Sequence, residues 1–278
     1  MKPTADVAGH YDALDGLYRD LWGEHVHHGL WTDPTLSPEQ AVEALVHRVA
    51  RDAHLEEGDT VCDIGCGYGA PARLWAAVYG AQVIGYTLSA AQHAYAERQN
   101  GVEEGPTPDL RCGDALDNDC AAGSMDAVVA IESLAHIDDQ PGVFREAARL
   151  LRPGGRLVVC AWTAPPAPPT WVRSTLLEPI RRDGQLAGLP AASDLRQWAD
   201  AAGLTVERLD DVTAQVRYTW VVVLRRLARA LLTDPRVART LLTGSRTERG
   251  FARAIPRIAL AQYLGVLRYT WLVASRRS

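Results

Sequence analysis

The 278 residues are 47% hydrophobic and 23% charged, an ordinary composition that allows one large globular core. The longest unbroken apolar runs, such as Trp220 to Leu224, are far too short to cross a bilayer. Met1 to Asp6 lack a charged-then-apolar leader pattern, so a cytoplasmic protein is expected. The net charge of −5 hides an asymmetry: positions 216–278 hold thirteen arginines against two acids, Asp234 and Glu248, which leaves the rest of the chain strongly acidic.

The first 36 residues are rich in Tyr, Trp and His and show no strand rhythm. From about residue 37 to 212, strand and helix signals alternate, the pattern of an α/β fold with a doubly wound, mostly parallel sheet. Ser37-Pro38-Glu39-Gln40 reads as a capping box with proline at the first helical position, and the helix it opens carries Ala41, Leu45, Val46 and Val49 on one face. Asp59 to Ile64 is expected as the first strand and Ala81 to Tyr86 as the second, followed by another capping box, Ser89-Ala90-Ala91-Gln92. Asp109 to Cys112 is a third strand, and Met125 to Ile131 is a fourth, apolar enough to be buried on both faces. A helix from Pro141 to Leu151 is stopped by Arg152-Pro153-Gly154-Gly155, ahead of a fifth strand from Arg156 to Trp162. The proline-dense stretch Ala164 to Pro169 is linker-like. Ser193 is expected to cap a helix ending at Gly203, before a sixth strand from Leu204 to about Val212. Val216 to about Gly265 reads as amphipathic, basic helix interrupted at Pro235, Gly244 and Pro256, and Leu267 to Ala274 as a seventh strand. The expected division, within one domain, is a cap over 1–36, a cofactor-binding core over 37–215, a helical lid over 216–265, and the last strand and tail over 266–278.

The densest chemical signal is Val61-Cys62-Asp63-Ile64-Gly65-Cys66-Gly67-Tyr68-Gly69-Ala70. A short apolar strand runs into an aspartate, and three glycines at alternate positions then open a helix. Glycine lets the backbone turn sharply and approach a ligand with no Cβ in the way. The helix start points unpaired N–H groups into the same space. Asp63 puts an acceptor where a ligand ammonium can sit, so an amino-acid-bearing nucleoside, S-adenosylmethionine, is the first candidate. The glycines by themselves do not choose a cofactor, because Gly65-x-Gly67-x-x-Ala70 also matches the dinucleotide fingerprint. An acid that would hold the ribose hydroxyls is missing from Gly85-Tyr86-Thr87-Leu88-Ser89, which disfavours a nicotinamide cofactor. Gly113-Asp114-Ala115 follows the third strand, where a carboxylate can accept from an adenine amino group.

In order and spacing, these segments and Leu151-Arg152-Pro153-Gly154-Gly155-Arg156-Leu157 resemble the class I S-adenosylmethionine-dependent methyltransferases over roughly residues 37–215. Three further segments are similar to a subgroup of small-molecule enzymes, the tocopherol methyltransferases and actinobacterial natural-product methyltransferases. They are Gly85-Tyr86-Thr87-Leu88-Ser89-x-x-Gln92, Trp22-Gly23-Glu24-His25-Val26-His27-His28-Gly29-Leu30-Trp31 and Glu132-Ser133-x-x-His136. The resemblance implies a seven-stranded Rossmann-like sheet and methyl transfer from S-adenosylmethionine to a natural-product or isoprenoid-type acceptor. It also implies a cofactor held by Asp63, Gly65, Cys66, Gly67, Thr87, Leu88, Gln92, Asp114 and Ala115, with the Thr87–Leu88 backbone and hydroxyl on the ribose. A non-methylating enzyme on the same scaffold, such as a cyclase, stays open as the alternative.

Glu132 and His136 follow the fourth strand into the crevice where open α/β sheets bind ligands. His136 is the expected general base, with Glu132 second. Tyr11 and Trp31 are expected on the cofactor side, because a sulfonium cation gains from an aromatic face. His25, His27 and His28 have no Cys or Asp partner nearby, so their segment reads as a cap laid over the cofactor and no metal is expected. The five cysteines read as small buried hydrophobes in reduced form. The expected partner is a small-molecule acceptor, apolar or partly anionic, with Arg225, Arg226 and Arg229 as leading candidates for meeting an anionic group. The apolar, arginine-rich run from Trp220 to Leu232 also allows an anionic lipid surface. No nucleic acid and no stable membrane insertion are expected, and a homodimer is left open.

Overall fold

A computed structural model describes residues 5–33, 35–100, 106–233, 239 and 244–277. Among them, seven strands form one sheet: β1 (Thr60–Ile64), β2 (Gln82–Thr87), β3 (Asp109–Cys112), β4 (Met125–Ile131), β5 (Leu151–Thr163), β6 (Leu204–Asp211) and β7 (Arg268–Arg276). Their order is β3-β2-β1-β4-β5-β7-β6, and β7 runs antiparallel to both of its neighbours. Chain order reverses between β1 and β4, so a crevice opens at the carboxyl ends of those two strands.

Successive side chains on a strand point to opposite faces, and both faces here are covered, which is why β4 and β5 read as unbroken apolar runs. On one face Val129, Val158 and Cys160 meet Leu45, Val46 and Val49 of α2 (Pro38–Ala53) and Trp75 of α3 (Ala70–Tyr79). On the other, Val128, Leu157 and Val159 meet Val143 and Phe144 of α5 (Gln140–Leu150). The helix α4 (Ala90–Asn100) follows β2. The expected capping box at α2 is made in full: Gln40 N–H donates to Ser37 Oγ (3.2 Å) and Ser37 N–H to Gln40 Oε1 (2.9 Å).

Several elements depart from the sequence reading. The aromatic N-terminal stretch is largely a helix, α1 (Ala5–Trp22), whose Leu14, Leu17, Tyr18 and Trp22 fall at helical spacing and join one apolar cluster with Trp220, Phe251 and Ile255. β5 starts at Leu151, not Arg156: Met125 pairs with Leu151, and a register shift before Ala127 absorbs the glycine pair, so the expected stop is a bulge within the ladder. The linker-like prolines lead into α6 (Thr170–Val172), a π-helical turn (Arg173–Leu177) and α7 (Glu178–Asp183). The helix α8 (Ala192–Ala201) is capped from Ala191, whose N–H donates to Asp194 Oδ2 (2.8 Å), and Ser193 sits inside its first turn. After a short α9 (Thr213–Val216) come α10 (Tyr218–Thr233) and α11 (Arg246–Tyr263). Pro256 lies inside α11 without ending it, at the loss of one ladder N–H. The interruption expected at Pro235 lies outside the described residues. A third apolar cluster joins α1, α6, α7, α10 and α11 above the carboxyl edge of the sheet, through residues such as Leu14, Ile180, Trp220 and Ile255. No helix among the described residues is long and apolar enough to cross a membrane.

Candidate active site

The cleft at the strand ends has a floor of backbone. Gly65, Gly67 and Gly69 all have positive φ, and a Cβ on Gly65 would stand 2.3 Å from that of Ser133, so the turn after β1 closes tightly on the loop after β4. Only glycine adopts that conformation with that little room. Gly65 and Cys66 N–H both donate to Tyr86 O (2.9 Å each), which ties the turn to β2. A Cβ at Gly67 would meet nothing nearer than Gln92 Nε2 at 3.9 Å, leaving open space beside the turn. Asp63 is 2% exposed and its Oδ2 has no hydrogen-bond partner; burial pushes its carboxyl up to about 7. An orphaned buried carboxylate oxygen behind a glycine turn is the acceptor that a ligand ammonium completes, so these residues fit the amino-acid end of S-adenosylmethionine.

At the end of β2 the details differ from expectation. Thr87 Oγ1 donates to Gln92 Oε1 (2.8 Å) and accepts from Ser89 N–H (3.3 Å), so the hydroxyl is engaged within the protein. Ser89 Oγ does accept from Gln92 N–H (3.1 Å), but the Gln92 side chain turns to Thr87, leaving the second half of that capping box unmade and the amide Nε2 toward the glycine turn. Asp114 is at the exposed rim, with Oδ1 accepting from Leu116 N–H (2.9 Å). Gly65, Gly67, Thr87, Leu88, Gln92, Asp114 and Ala115 line one cleft, together with Tyr11, Glu132 and His136.

Facing that floor is a roof of apolar and aromatic side chains from the cap, among them Trp22, Ile180, Trp220, Phe251, Ile255 and Ile258. Glu132 follows β4 with a left-handed backbone, φ +58°, which turns its carboxylate under this roof. Its Oε1 accepts from His28 N–H (2.6 Å), His28 Nδ1–H (3.0 Å) and Tyr269 O–H (2.9 Å). His28 Nε2 accepts from Trp220 Nε1–H (2.8 Å), because an indole nitrogen can only donate, and this fixes the proton of the neutral ring on Nδ1. Burial pushes the Glu132 carboxyl up, but the hydrogen bonds from the His28 side chain and main chain outweigh it and hold it below its ordinary value. An ionised carboxylate held by three donors is an anchor for the cap.

His136 is placed differently. Its Nε2 lies 3.0 Å from Tyr11 Oη, its Nδ1 is buried with no hydrogen-bond partner, and burial lowers its pKa to about 4. Burial also raises Tyr11 well above its ordinary range, so a neutral phenol faces a neutral imidazole.

Two predicted residues lie apart from the cleft. Trp31 Nε1 donates to Thr219 Oγ1 (3.0 Å) and its ring packs edge-on against Tyr218, in a separate cavity. The Cys66 side chain packs into the core beside Gly85, and its main chain alone belongs to the turn. The α10 arginines also turn away: Arg226 pairs with Glu39 (3.0 Å), Arg225 donates to Tyr218 Oη (3.2 Å), and neither lines the cleft, as Arg229 does not. One apolar face of α10 is buried through Trp220, Val223 and Leu227 and packs toward the cleft, while Val221, Leu231 and Leu232 are exposed. Asp12 went unnoticed in the sequence. Its Oδ1 accepts from Ser89 Oγ–H (2.5 Å) and Ala91 N–H (3.1 Å), latching α1 onto the start of α4. Nothing in local sequence signals a contact across 77 positions.

Residues 62–159 match the family model described as a methyltransferase domain. The 27-O-demethylrifamycin SV methyltransferase of Amycolatopsis mediterranei (strain S699) is 35% identical over 231 residues, covering 81% of this chain and 83% of that protein. The probable chloroplastic tocopherol O-methyltransferase of Oryza sativa subsp. japonica is 29% identical over 287 residues, covering 95% of this chain and 76% of that one. Among solved structures, that of the (4+2)-cyclase SpnF has a TM-score of 0.82 at 26% identity, covering 99% of this chain and 96% of the other. The sheet order, the glycine turn with its waiting carboxylate and a relative matched over four-fifths of both chains agree: the chain belongs to the class I S-adenosylmethionine-dependent methyltransferases, with S-adenosylmethionine as methyl donor and a small molecule as acceptor.

Proposed function

We propose that the acceptor is an uncharged, largely apolar molecule of natural-product type, methylated at a hydroxyl or similar group whose proton His136 removes. The observation that carries this is the Tyr11–His136 pair under an apolar roof, in a cleft whose described lining holds Asp114 and Glu132 but no Arg or Lys. An anionic acceptor would be desolvated there with no counter-charge and two carboxylates nearby. The similarity to rifamycin and tocopherol methyltransferases supports the same acceptor class.

Asp63 would hold the cofactor's ammonium, Gln92 Nε2 and the main chain at Thr87–Leu88 its polar edge, and Asp114–Ala115 its adenine. S-adenosylmethionine supplies a methyl group activated by a positively charged sulfur. What the chain must add is alignment, exclusion of water and proton removal. Burial keeps His136 neutral, so its ring can accept a proton as the acceptor's O–H takes the position that Tyr11 Oη holds at Nε2. Glu132 acts as a positioning residue, fixing His28 and through it Trp220 in the roof.

The test is S-adenosylhomocysteine release with a panel of hydroxylated aromatic and macrocyclic acceptors, each paired with a carboxylated analogue. Neutral members should be preferred by at least about tenfold in kcat/KM. Equal turnover of the carboxylates would overturn the uncharged-acceptor reading. Acceptor consumed without S-adenosylhomocysteine would instead favour a cyclase, the activity named for SpnF.

A further inference from the structure

His25, His27 and Trp31 take no part in the cleft; they line a second cavity of about 480 Å³. It adjoins the first. Trp22 lines both, and α10 divides them, with Trp220 toward the cleft and Thr219 and Val222 toward the second cavity. The hydrogen bonds settle which ring atoms carry protons. A carbonyl can only accept, so His27 donates to His28 O through Nδ1–H (2.8 Å) and keeps a lone pair on Nε2. His25 therefore donates to that lone pair through its own Nδ1–H (3.1 Å), and Nε2 of His25 is left as an acceptor. Burial lowers the His25 pKa to about 3, so this arrangement holds at neutral pH.

The same cavity is lined by Glu24, Glu43, Trp22 and Trp31. Two of the lining carboxylates are paired within the protein, Glu24 with Arg73 (2.6 Å) and Glu39 with Arg226 (3.0 Å). A cavity lined by an imidazole acceptor, carboxylates and indoles suits a neutral ligand that carries several O–H groups and has an apolar side of its own. We propose that the second cavity is a subsite for a polyhydroxylated, sugar-like portion of the acceptor, joined past Trp22 to the part methylated in the cleft. The inference rests on the small-molecule methyltransferase reading.

The probes are n-octyl glucoside, n-octanol and methyl glucoside, each titrated by calorimetry into protein saturated with S-adenosylhomocysteine. The octyl glucoside should bind about tenfold more tightly than n-octanol, the scale of one or two hydrogen bonds. His25→Ala should remove that advantage. Val222→Trp, which fills the cavity from a half-buried wall without removing a polar group, should do the same with n-octanol and cofactor binding unchanged. Equal affinities for octyl glucoside and octanol, or an advantage that survives both substitutions, would overturn the inference. Methyl glucoside binding as tightly as octyl glucoside would show a separate polyol site and overturn its link to the acceptor. Failure of the wild-type protein to bind S-adenosylhomocysteine in the first titration would sink the cofactor reading instead, before any glucoside is added.

Discussion

Along the carboxyl edge of the sheet the cleft wall is made of backbone: Gly65 packed on Ser133, amides tied to Tyr86 O, and one buried carboxylate with a free oxygen. The opposite wall, from α1, α7, α10 and α11, is made of side chains, with aromatic and aliphatic groups meeting around Trp220 and Phe251 and Tyr11 reaching across to His136 on the turn after β4. A backbone wall has no spare volume and suits a ligand that never changes. A side-chain wall can be recut one residue at a time without moving the sheet, which is the property a variable acceptor requires. If this contrast is right, substitutions on the two walls should separate cofactor binding from turnover.

His136 faces the acceptor wall from the turn after β4 and should show the largest effect. His136→Ala is expected to lower kcat by about 10²–10⁴, while calorimetry finds S-adenosylhomocysteine affinity nearly unchanged. Wild-type turnover in this variant would leave alignment as the whole mechanism.

Gly65→Ala tests the backbone wall. With φ +84° and a Cβ 2.3 Å from that of Ser133, the alanine forces the turn off the β4 loop. A loss of about 2 kcal/mol or more is expected, read from urea denaturation together with weakened cofactor binding. A stable variant with wild-type affinity would show that the wall can yield.

Asp63 gives a smaller, pH-dependent signature. Burial raises its carboxyl to about 7, so between the ordinary carboxylate range and pH 7 the native state holds a proton that the unfolded chain has released. Stability of the free protein should therefore fall as pH rises through that window and level off above it. An ammonium partner needs the ionised form, so below pH 7 cofactor affinity should rise with pH, by at most about tenfold per unit. Binding at about pH 6 should release close to one proton, measured by calorimetry in buffers of different ionisation enthalpy. Asp63→Asn should abolish the release, and its persistence would assign the proton elsewhere.

The smallest effect is at the junction of the two walls. Asp12→Ala removes both hydrogen bonds that latch α1 to Ser89 and Ala91, a loss of about 1 kcal/mol on the scale of a helix cap. S-adenosylhomocysteine should then leave several times faster in stopped-flow fluorescence, with kcat/KM for the acceptor little changed. An unaltered release rate would mean that the latch does not govern exchange.

Periodicity, caps and glycines are local properties, and they carried the strands, α2 and the turn at Asp63 directly in the sequence. Short-range chemistry also pointed to Glu132 and His136, because both follow β4 at the reversal in strand order. The division of labour between them was not legible. It depends on His28 and Tyr269, which reach Glu132 from distant segments, on Trp220, which reaches His28, and on Tyr11, which reaches His136 across 125 positions. For the same reason Trp31, an aromatic like any other in sequence, sits against Thr219 in a different cavity, and the arginines of α10 face away from the cleft. Sequence by itself determined the sheet and the cofactor turn, since strand period and positive φ are written into neighbouring residues. Tertiary structure decided the acceptor wall, because side chains far apart in the chain acquire their protonation, partners and direction only when the cap closes over the strand ends.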